Sequence, residues 1–238
     1  MPEKIKRLLQ LDTTYNTRDI GGYTTEDGKT TKWLKLLRSD NLHALTPDAQ
    51  NTLLDCGVRT IIDLRNDDEI EKAPNVFTQH PQVSYHNIPL FNNQIDYSQI
   101  PLWSLEELYV ITLDKCKSQI LAVINTIAVH KTPVLVHCAA GKDRTGIIIA
   151  LLLSIANVSL TTIAEDYAVS GKNIIPIYKE EIEIAKEKGF AHIFDSPAET
   201  MLSTLSYLQK EYGGVVGYLQ TIGITGEQIN HIREMLVD

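Results

Sequence analysis

The sequence contains few cysteines, and those it has lie far apart. Cys56, Cys116 and Cys138 are the three cysteines in 238 residues. Their number and spacing exclude a disulfide framework and a cysteine-based zinc site, and the seven histidines show no metal-ligand spacing either. We therefore expect no metal and no other cofactor. We interpret Cys56 and Cys116 as inert residues of predicted helices, which leaves Cys138 as the cysteine of interest.

Long apolar runs and an excess of basic charge are absent as well. The longest apolar stretch, around 147–155, is too short to cross a membrane, and the basic N-terminus lacks the apolar core of a signal peptide. The 22 basic and 30 acidic residues give a net charge of -8, which argues against general nucleic-acid binding and a polybasic membrane patch. We expect a cytoplasmic or secreted protein without an integral membrane segment. A phosphorylated substrate stays compatible, because a small site can be locally positive inside an acidic protein.

Strands and helices are predicted to alternate over the first two thirds of the chain. A hairpin is expected between 16 and 38, strands at 58–64, 84–88 and 133–137, and helices at 47–56, twice between 103 and 129, and at 144–155. Thr46 and Pro47 mark the start of the first helix and Gly57 its end. Helices are also predicted at 161–169, 177–188, 197–212 and 226–236. This order predicts an α/β fold with a largely parallel central sheet flanked by helices, a helical C-terminal third, and a single domain over 1–238.

The segment HCAAGKDRTG at 137–146 carries the clearest chemical signal. A Cys-x5-Arg pair is weak evidence by itself, but here a buried strand delivers the cysteine and the arginine begins an apolar helix. Successive backbone N–H groups can form a nest around phosphate oxygens, and the positive end of the helix lies at the same place. We therefore predict a phosphate site formed by Ala139, Ala140, Gly141, Lys142, Asp143 and Thr145.

Two side chains of this loop are predicted to carry out the reaction. Cys138, held as a thiolate by these fields, attacks phosphorus, and water then hydrolyses the phosphocysteine. Arg144 binds two phosphate oxygens through a planar fork that stays charged. Thr145 can donate its hydroxyl to the departing thiolate. This route requires no metal.

Other functions for such a loop fit these residues less well. A nucleotide-binding P-loop needs a glycine where Val136 stands and a serine or threonine where Asp143 follows Lys142. The RTG continuation at 144–146 favours phosphate chemistry over that of a sulfurtransferase. Two alternatives stay open: a buried structural cysteine, and a catalytically weak phosphate-binding module that recruits phosphorylated partners.

The loop resembles that of the protein-tyrosine phosphatase superfamily, and specifically of its bacterial atypical branch, which acts on phosphotyrosine and often on phosphoinositides. The segments NTRD at 16–19, LRS at 37–39, IDLR at 62–65 and the glycine- and tyrosine-rich stretch at 212–219 are also similar to that branch. The resemblance implies a four-stranded parallel sheet core flanked by helices. It implies phosphotyrosine as the substrate, with phosphoinositides or phosphoserine and phosphothreonine as extensions, and Lys142 as a positive group in the pocket. The alternative for Lys142 is a solvated loop residue.

The proton donor for the leaving group has two candidates. The leaving phenolate needs a carboxylic acid near the ester oxygen, and the resemblance implies either an aspartate in the loop or one that follows the strand at 84–88. Asp143 fills the first position. At the second, Asn92 stands where the carboxylate is expected, and Asp96 follows it. We predict Asp143 as the acid, with Asp96 as second candidate; the alternatives are a helix cap for Asp143 and a solvated loop residue for Asp96.

The remaining polar residues near the loop receive no catalytic role. His137 is expected to orient the loop through a hydrogen bond. The stretch 92–113, with Tyr97, Pro101 and Trp103, is interpreted as a mobile cover over the pocket or as ordinary surface. Four charged residues are expected to form a buried ion-pair network: Arg18, Asp19, Arg38 and Arg65.

Overall fold

The computed structural model describes residues 7–91, 104–130 and 133–238. Its strands are β1 (Arg18–Asp19), β2 (Leu36–Ser39), β3 (Thr60–Asp63), β4 (Ser84–Asn87) and β5 (Val134–His137). They form one sheet in the order β1-β2-β5-β3-β4. The pairs β2–β5, β5–β3 and β3–β4 are parallel, and β1 adds an antiparallel edge to β2.

The helices lie between β2 and β5 and after β5 along the chain. They are α1 (Pro47–Asp55), α2 (Asp67–Lys72), α3 (Leu105–Lys115), α4 (Lys117–Val129), α5 (Asp143–Ile155), α6 (Leu160–Ile174), α7 (Lys179–Glu187), α8 (Ala198–Tyr212), α9 (Val215–Thr221) and α10 (Gly226–Leu236). A short 3₁₀ turn, Ala191–Phe194, lies between α7 and α8. The C-terminal third is therefore helical, as predicted.

The parallel strands end side by side. Ser39 of β2 and Asp63 of β3 are both register partners of His137, the last residue of β5. In open α/β sheets, ligands bind outside the carboxyl ends of the strands. Cys138 is the first residue after β5, so the sheet delivers it to that edge.

The sheet separates two buried clusters of apolar side chains. Val134 and Val136 of β5 belong to the larger cluster, and Leu135 between them belongs to the smaller one, as the alternation of a strand requires. Helix α5 is buried in the larger cluster along almost its whole length. Because a helix that is apolar all round must be buried, the core fixes the start of α5, where it meets the loop that begins at Cys138.

The structure confirms the α/β fold and most of the predicted elements. Thr46 caps α1 by accepting a hydrogen bond from the Ala49 N–H, Pro47 is the first helical residue, and Gly57 follows at φ +86°. The predicted hairpin is the pairing of β1 with β2. Within the described ranges, no helix is long and apolar enough to cross a membrane. The single domain over 1–238 stays a prediction.

Three details differ from the predictions. The sequence pattern predicts neither α2 nor the short α9. The six residues of α2 are all at least partly exposed, and the helix begins with a capping box of Asn66 and Glu69. The sheet has β1 in addition to the four parallel strands that the resemblance implied. Cys56 and Cys116 lie at helix ends and not inside helices. Only Cys116 is fully buried, so the interpretation as an inert core residue fits it better than Cys56.

Candidate active site

The loop that carries the chemical signal runs from the end of β5 to the start of α5. Cys138 is 2% exposed and Arg144 is 9% exposed, and Thr145 is fully buried. Cys138 directly follows β5 and Arg144 lies in the first turn of α5, so the short loop between them holds both groups at the same edge of the sheet. The structure therefore brings the predicted nucleophile and the predicted phosphate clamp together in a largely buried site.

The backbone of this loop is held by donors that lie outside it. These hydrogen bonds run from Asn41 N to Ala139 O (3.0 Å), from Asn16 Nδ2 to Ala140 O (3.0 Å) and Gly141 O (3.1 Å), and from Arg38 Nη2 to Gly141 O (2.6 Å). The N–H groups of 139–144, in contrast, donate to no described residue. With the carbonyl groups bound and the N–H groups unpaired, the loop has the donor set of an anion-binding nest.

Gly141 is required at its position for two reasons. Its φ of +65° lies in the left-handed region, which costs an L-residue about 1–2 kcal/mol. A Cβ atom there would lie 2.4 Å from the carbonyl oxygen of Ser39 at the end of β2. The loop therefore packs against the sheet edge at a distance that only glycine permits.

Two buried arginines join the loop to α6. Arg18 Nε and Arg38 Nη1 donate to opposite oxygens of the Asp166 carboxylate at 3.0 and 2.6 Å. Burial alone would raise the pKa of Asp166, but the two guanidinium groups outweigh it and hold that pKa well below its usual range. The predicted ion-pair network is thus confirmed for Arg18 and Arg38. For Asp19 it is wrong, because this carboxylate instead accepts N–H groups of the adjoining turns, from 21 and 34.

A second set of buried polar side chains surrounds His137, the residue before Cys138. His137 Nδ1 lies 3.2 Å from the Cys138 carbonyl oxygen, and its Nε2 lies 2.9 Å from Asn75 Nδ2 and 3.3 Å from Asp63 Oδ2. Asp63 also pairs with Arg65, Nη2 to Oδ2, at 2.6 Å. Burial raises the pKa of Asp63, but His137 and Arg65 lower it further than burial raises it. These contacts agree with the predicted orienting role of His137 and the structural role of Arg65.

Arg144 is held by a carboxylate on α2. Its Nη1 and Nη2 donate to Glu69 Oε2 and Oε1 at 2.5 and 2.7 Å, in a bidentate pair. Asn66 N donates to Glu69 Oε2 at 2.9 Å, so the capping box of α2 fixes the carboxylate. Burial lowers the pKa of Arg144, but Glu69 and Cys138 outweigh it and raise that pKa above its ordinary value. The guanidinium is therefore permanently charged and fixed in direction.

Lys142 and Asp143 form a pair inside the site. Lys142 is 2% exposed, and its Nζ donates to Asp143 Oδ1 at 2.6 Å. Burial overturns the alternative of a solvated loop lysine. Asp143 is the first residue of α5. No backbone N–H of a described residue donates to its carboxylate, and its Oδ1 also accepts the Tyr109 hydroxyl at 2.6 Å. No described residue donates to Oδ2, so this oxygen stays available.

Several predicted residues are unpaired or lie outside the description. The Thr145 hydroxyl is buried and has no hydrogen-bond partner among the described residues, Cys138 included. Asn92, the second acid candidate Asp96, and Tyr97, Pro101 and Trp103 of the predicted cover lie outside the described residues. From that cover, the structure describes α3 up to Leu113 and places Tyr109 beside Asp143.

Sequence reasoning missed the partners that fix the predicted groups. They are Asn16 and Asn41 at the loop carbonyls, Glu69 at Arg144, Tyr109 at Asp143, and Asp166 at the two arginines. A local signal exists for Glu69, because Asn66-x-x-Glu69 matches a capping box. Tyr109 and Asp166 have no local signal, because each lies within a helix whose pattern predicts only packing.

The fold and this site together define a class of protein. A parallel sheet that ends in a buried cysteine, a loop with unpaired N–H groups, and an arginine at a helix start make up a phosphatase of α/β fold. A family model described as the tyrosine phosphatase family matches residues 9–238. The chain therefore belongs to the tyrosine phosphatase family.

Individual relatives agree with this assignment. A tyrosine-protein phosphatase of Nostoc commune is 33% identical over 215 residues, which cover 84% of this chain and 73% of the relative. The triple specificity protein phosphatase PtpB of Mycobacterium tuberculosis is 27% identical over 128 residues, 47% of this chain and 46% of that protein. The inositol diphosphatase DSP1 of Oryza sativa subsp. japonica is 35% identical over 82 residues, 34% and 33% of the two chains.

Proposed function

We propose that this chain hydrolyses phosphotyrosine through a phosphocysteine formed on Cys138. The observation that carries the proposal is the loop itself, whose carbonyl groups bind outside donors while the N–H groups of 139–144 stay unpaired. A row of free donors beside a buried thiol and a fixed guanidinium suits a dianionic phosphate. The name of the Nostoc relative, a tyrosine-protein phosphatase, supports phosphotyrosine as the substrate.

The proposed reaction has two displacements. In the first, the bond from Cys138 Sγ to phosphorus forms as the bond from phosphorus to the tyrosyl oxygen breaks, and Asp143 gives its proton to that oxygen. In the second, water attacks phosphorus, the S–P bond breaks and Asp143 takes up a proton from the water. The unpaired Thr145 hydroxyl is the group proposed to stabilise the departing thiolate. Inorganic phosphate leaves, and both side chains return to their starting states.

Arg144 keeps one donor edge for the phosphate. A guanidinium has five N–H donors in a rigid fork. Glu69 accepts one N–H from each terminal nitrogen, and the Leu64 carbonyl oxygen accepts from Nη1 at 3.4 Å. This leaves Nε and the second N–H of Nη2. Nε donates to no described residue, and these two donors are parallel, as bidentate phosphate binding requires. Arg144 is therefore proposed to bind Glu69 and substrate at the same time.

Phosphoinositides and phosphoserine or phosphothreonine are proposed as further substrates. The names of two relatives, a triple specificity phosphatase and an inositol diphosphatase, support this extension. Lys142 is the loop residue proposed to favour the more highly charged inositol phosphates. A Lys142→Ala variant should then lose more kcat/KM on phosphoinositides than on phosphotyrosine. It should also lose more on phosphoinositides than on phosphoserine, whose leaving oxygen is an alkyl oxygen like that of inositol and therefore depends on Asp143 to a similar degree. Equal losses would remove Lys142 as a specificity residue.

Phosphate release from p-nitrophenyl phosphate tests the central proposal. Cys138→Ser should abolish release, and Cys56→Ser, which changes a thiol at the end of α1, should leave it unchanged. A Cys138→Ser variant that still releases phosphate would refute the phosphocysteine route. If the wild-type chain binds a phosphotyrosine peptide but releases no phosphate, the chain is a recruitment module instead.

A further inference from the structure

We propose that Tyr109, supported by Tyr167, is a positioning residue for Asp143 and directs which oxygen of that carboxyl transfers the proton. The inference rests on the proposed function, in which Asp143 is the general acid. It adds two residues that are far from the loop in sequence, on α3 and α6. Neither tyrosine is proposed to touch the substrate.

The hydroxyl groups form a chain that ends at Asp143. Tyr109 Oη donates to Asp143 Oδ1 at 2.6 Å, and the Tyr109 and Tyr167 hydroxyl oxygens are 2.7 Å apart. Tyr109 has a single proton, and a carboxylate can only accept. The Tyr109 proton therefore points to Asp143, and Tyr167 donates to Tyr109.

The tyrosine pair is rigidly packed. Tyr109 is 0% exposed and Tyr167 is 1% exposed, and their rings meet edge to face with centroids 6.0 Å apart. The Tyr167 ring also lies against Gly146 in the first turn of α5, where an added Cβ would come within 3.0 Å of it. Three helices thus fix the position of a hydroxyl beside the carboxyl that begins α5.

Asymmetric hydrogen bonding gives the two oxygens of Asp143 different functions. Oδ1 accepts from both Tyr109 and Lys142, whereas no described residue donates to Oδ2. In the acid form, the proton therefore resides on Oδ2. When the Oδ2–H bond breaks and the proton passes to the leaving oxygen, negative charge develops on a carboxylate that two donors already stabilise.

The ionisable groups around Asp143 decide the direction of the pH effect. They are Lys142 in the loop, Arg144 on α5, Tyr109 on α3, Tyr167 on α6 and Tyr178 before α7. Tyr109→Phe removes one donor to the carboxylate and leaves the other groups in place. The charged form of Asp143 is then less stable, so the basic limb of the kcat profile should move to higher pH.

The test compares aryl phosphates whose leaving phenols differ in acidity. A weakly acidic leaving phenol needs a proton donor and a strongly acidic one does not. The rate on phenyl phosphate therefore depends strongly on the general acid, and the rate on p-nitrophenyl phosphate depends on it much less. Asp143→Asn should lower kcat about 100-fold on phenyl phosphate and far less on p-nitrophenyl phosphate. Tyr109→Phe should lose about tenfold on phenyl phosphate, as for one hydrogen bond to a charged group.

Tyr218→Phe is the matched control. Tyr218 is 0% exposed and its hydroxyl donates to the Leu113 carbonyl oxygen at 2.7 Å, so the variant removes a buried hydroxyl bonded to the same helix, α3. It should lower the melting temperature like Tyr109→Phe, but leave the leaving-group dependence and the basic limb unchanged. Tyr167→Phe should shift the limb in the same direction as Tyr109→Phe, by less.

The outcomes separate this inference from the proposed function. In one outcome, Asp143→Asn loses activity mainly on phenyl phosphate while Tyr109→Phe slows both substrates equally or does not move the basic limb. Tyr109 is then only structural and the inference is wrong. If Asp143→Asn loses both substrates equally, Asp143 is not the acid. The inference then fails with that assignment, while phosphate release that depends on Cys138 would still support the phosphocysteine route.

Discussion

Replacement of Glu69 should weaken catalysis through Arg144, without removing a group that is proposed to touch the substrate. The Glu69 carboxylate takes one N–H from each terminal nitrogen of Arg144 and is itself fixed by the Asn66 N–H. Glu69→Gln keeps one acceptor oxygen but turns an amide NH₂ towards the guanidinium. Glu69→Ala removes both acceptors. Arg144 therefore loses one of its two contacts to residue 69 in Glu69→Gln and both in Glu69→Ala.

The size of each loss follows from the geometry. A hydrogen bond to a charged group contributes about 1.5–3 kcal/mol, and the lower value applies because the Glu69 side chain is 31% exposed and water screens it. Since about 1.4 kcal/mol corresponds to a tenfold change in rate, kcat/KM should fall about tenfold for Glu69→Gln. For Glu69→Ala it should fall about 100-fold.

Two measurements check this reasoning. Inhibition by orthovanadate, which binds as a phosphate analogue, should weaken in parallel with kcat/KM, because both depend on the direction of the Arg144 fork. Glu71→Gln, an exposed residue on the same helix, serves as the control and should change neither. The reasoning is refuted if Glu69→Ala keeps both values within about twofold of wild type while Arg144→Lys abolishes them, because Arg144 would then be positioned by other contacts.

Three further predictions concern the support of the loop. Gly141→Ala should lower kcat/KM about 100-fold, as for loss of an oxyanion donor, whereas Gly28→Ala, at a φ of +79° with nothing within 4 Å of the added Cβ, should cost stability only. Asp166→Asn should lower the free energy of unfolding by about 3–5 kcal/mol in denaturant titrations, because two buried arginines lose their counter-ion. Folding lowers the pKa of Asp166. Its contribution to the free energy of unfolding is therefore complete above the unfolded pKa of about 3.9 and declines as pH falls below that value. The wild type should lose stability in acid more steeply than Asp166→Asn.

The loop could be predicted because its functional groups are contiguous. Cys138, Gly141 and Arg144 lie within one strand–turn–helix unit, so periodicity and spacing locate them before any tertiary contact is known. The buried strand and the apolar α5 have unambiguous patterns, and both were confirmed. The same local information predicted Thr46 and Gly57 at the ends of α1.

The partners of the loop could not be predicted, because they come from distant parts of the chain. Asp166 and Tyr109 look like single polar and aromatic positions of amphipathic helices, and only the fold shows what they contact. Asp19, in contrast, looks like an ion-pair partner beside Arg18, but the adjoining turns supply N–H groups that satisfy it. A sequence gives the residue type of a buried charge, whereas its partner depends on tertiary structure.

Pairing of charges explains how an acidic chain, with a net charge of -8, can form a phosphate site. The pairs near the loop are Arg18 and Arg38 with Asp166, Arg65 with Asp63, Lys142 with Asp143, and Arg144 with Glu69. These five cations share four carboxylates, because Arg18 and Arg38 both pair with Asp166, so most of the positive charge around the loop is already paired. Oriented donors therefore add to the attraction: the unpaired loop N–H groups, the start of α5, and the Nε edge of Arg144. Such donors act over a few ångströms and in fixed directions, so they select the tetrahedral shape of a phosphate ester as well as its charge.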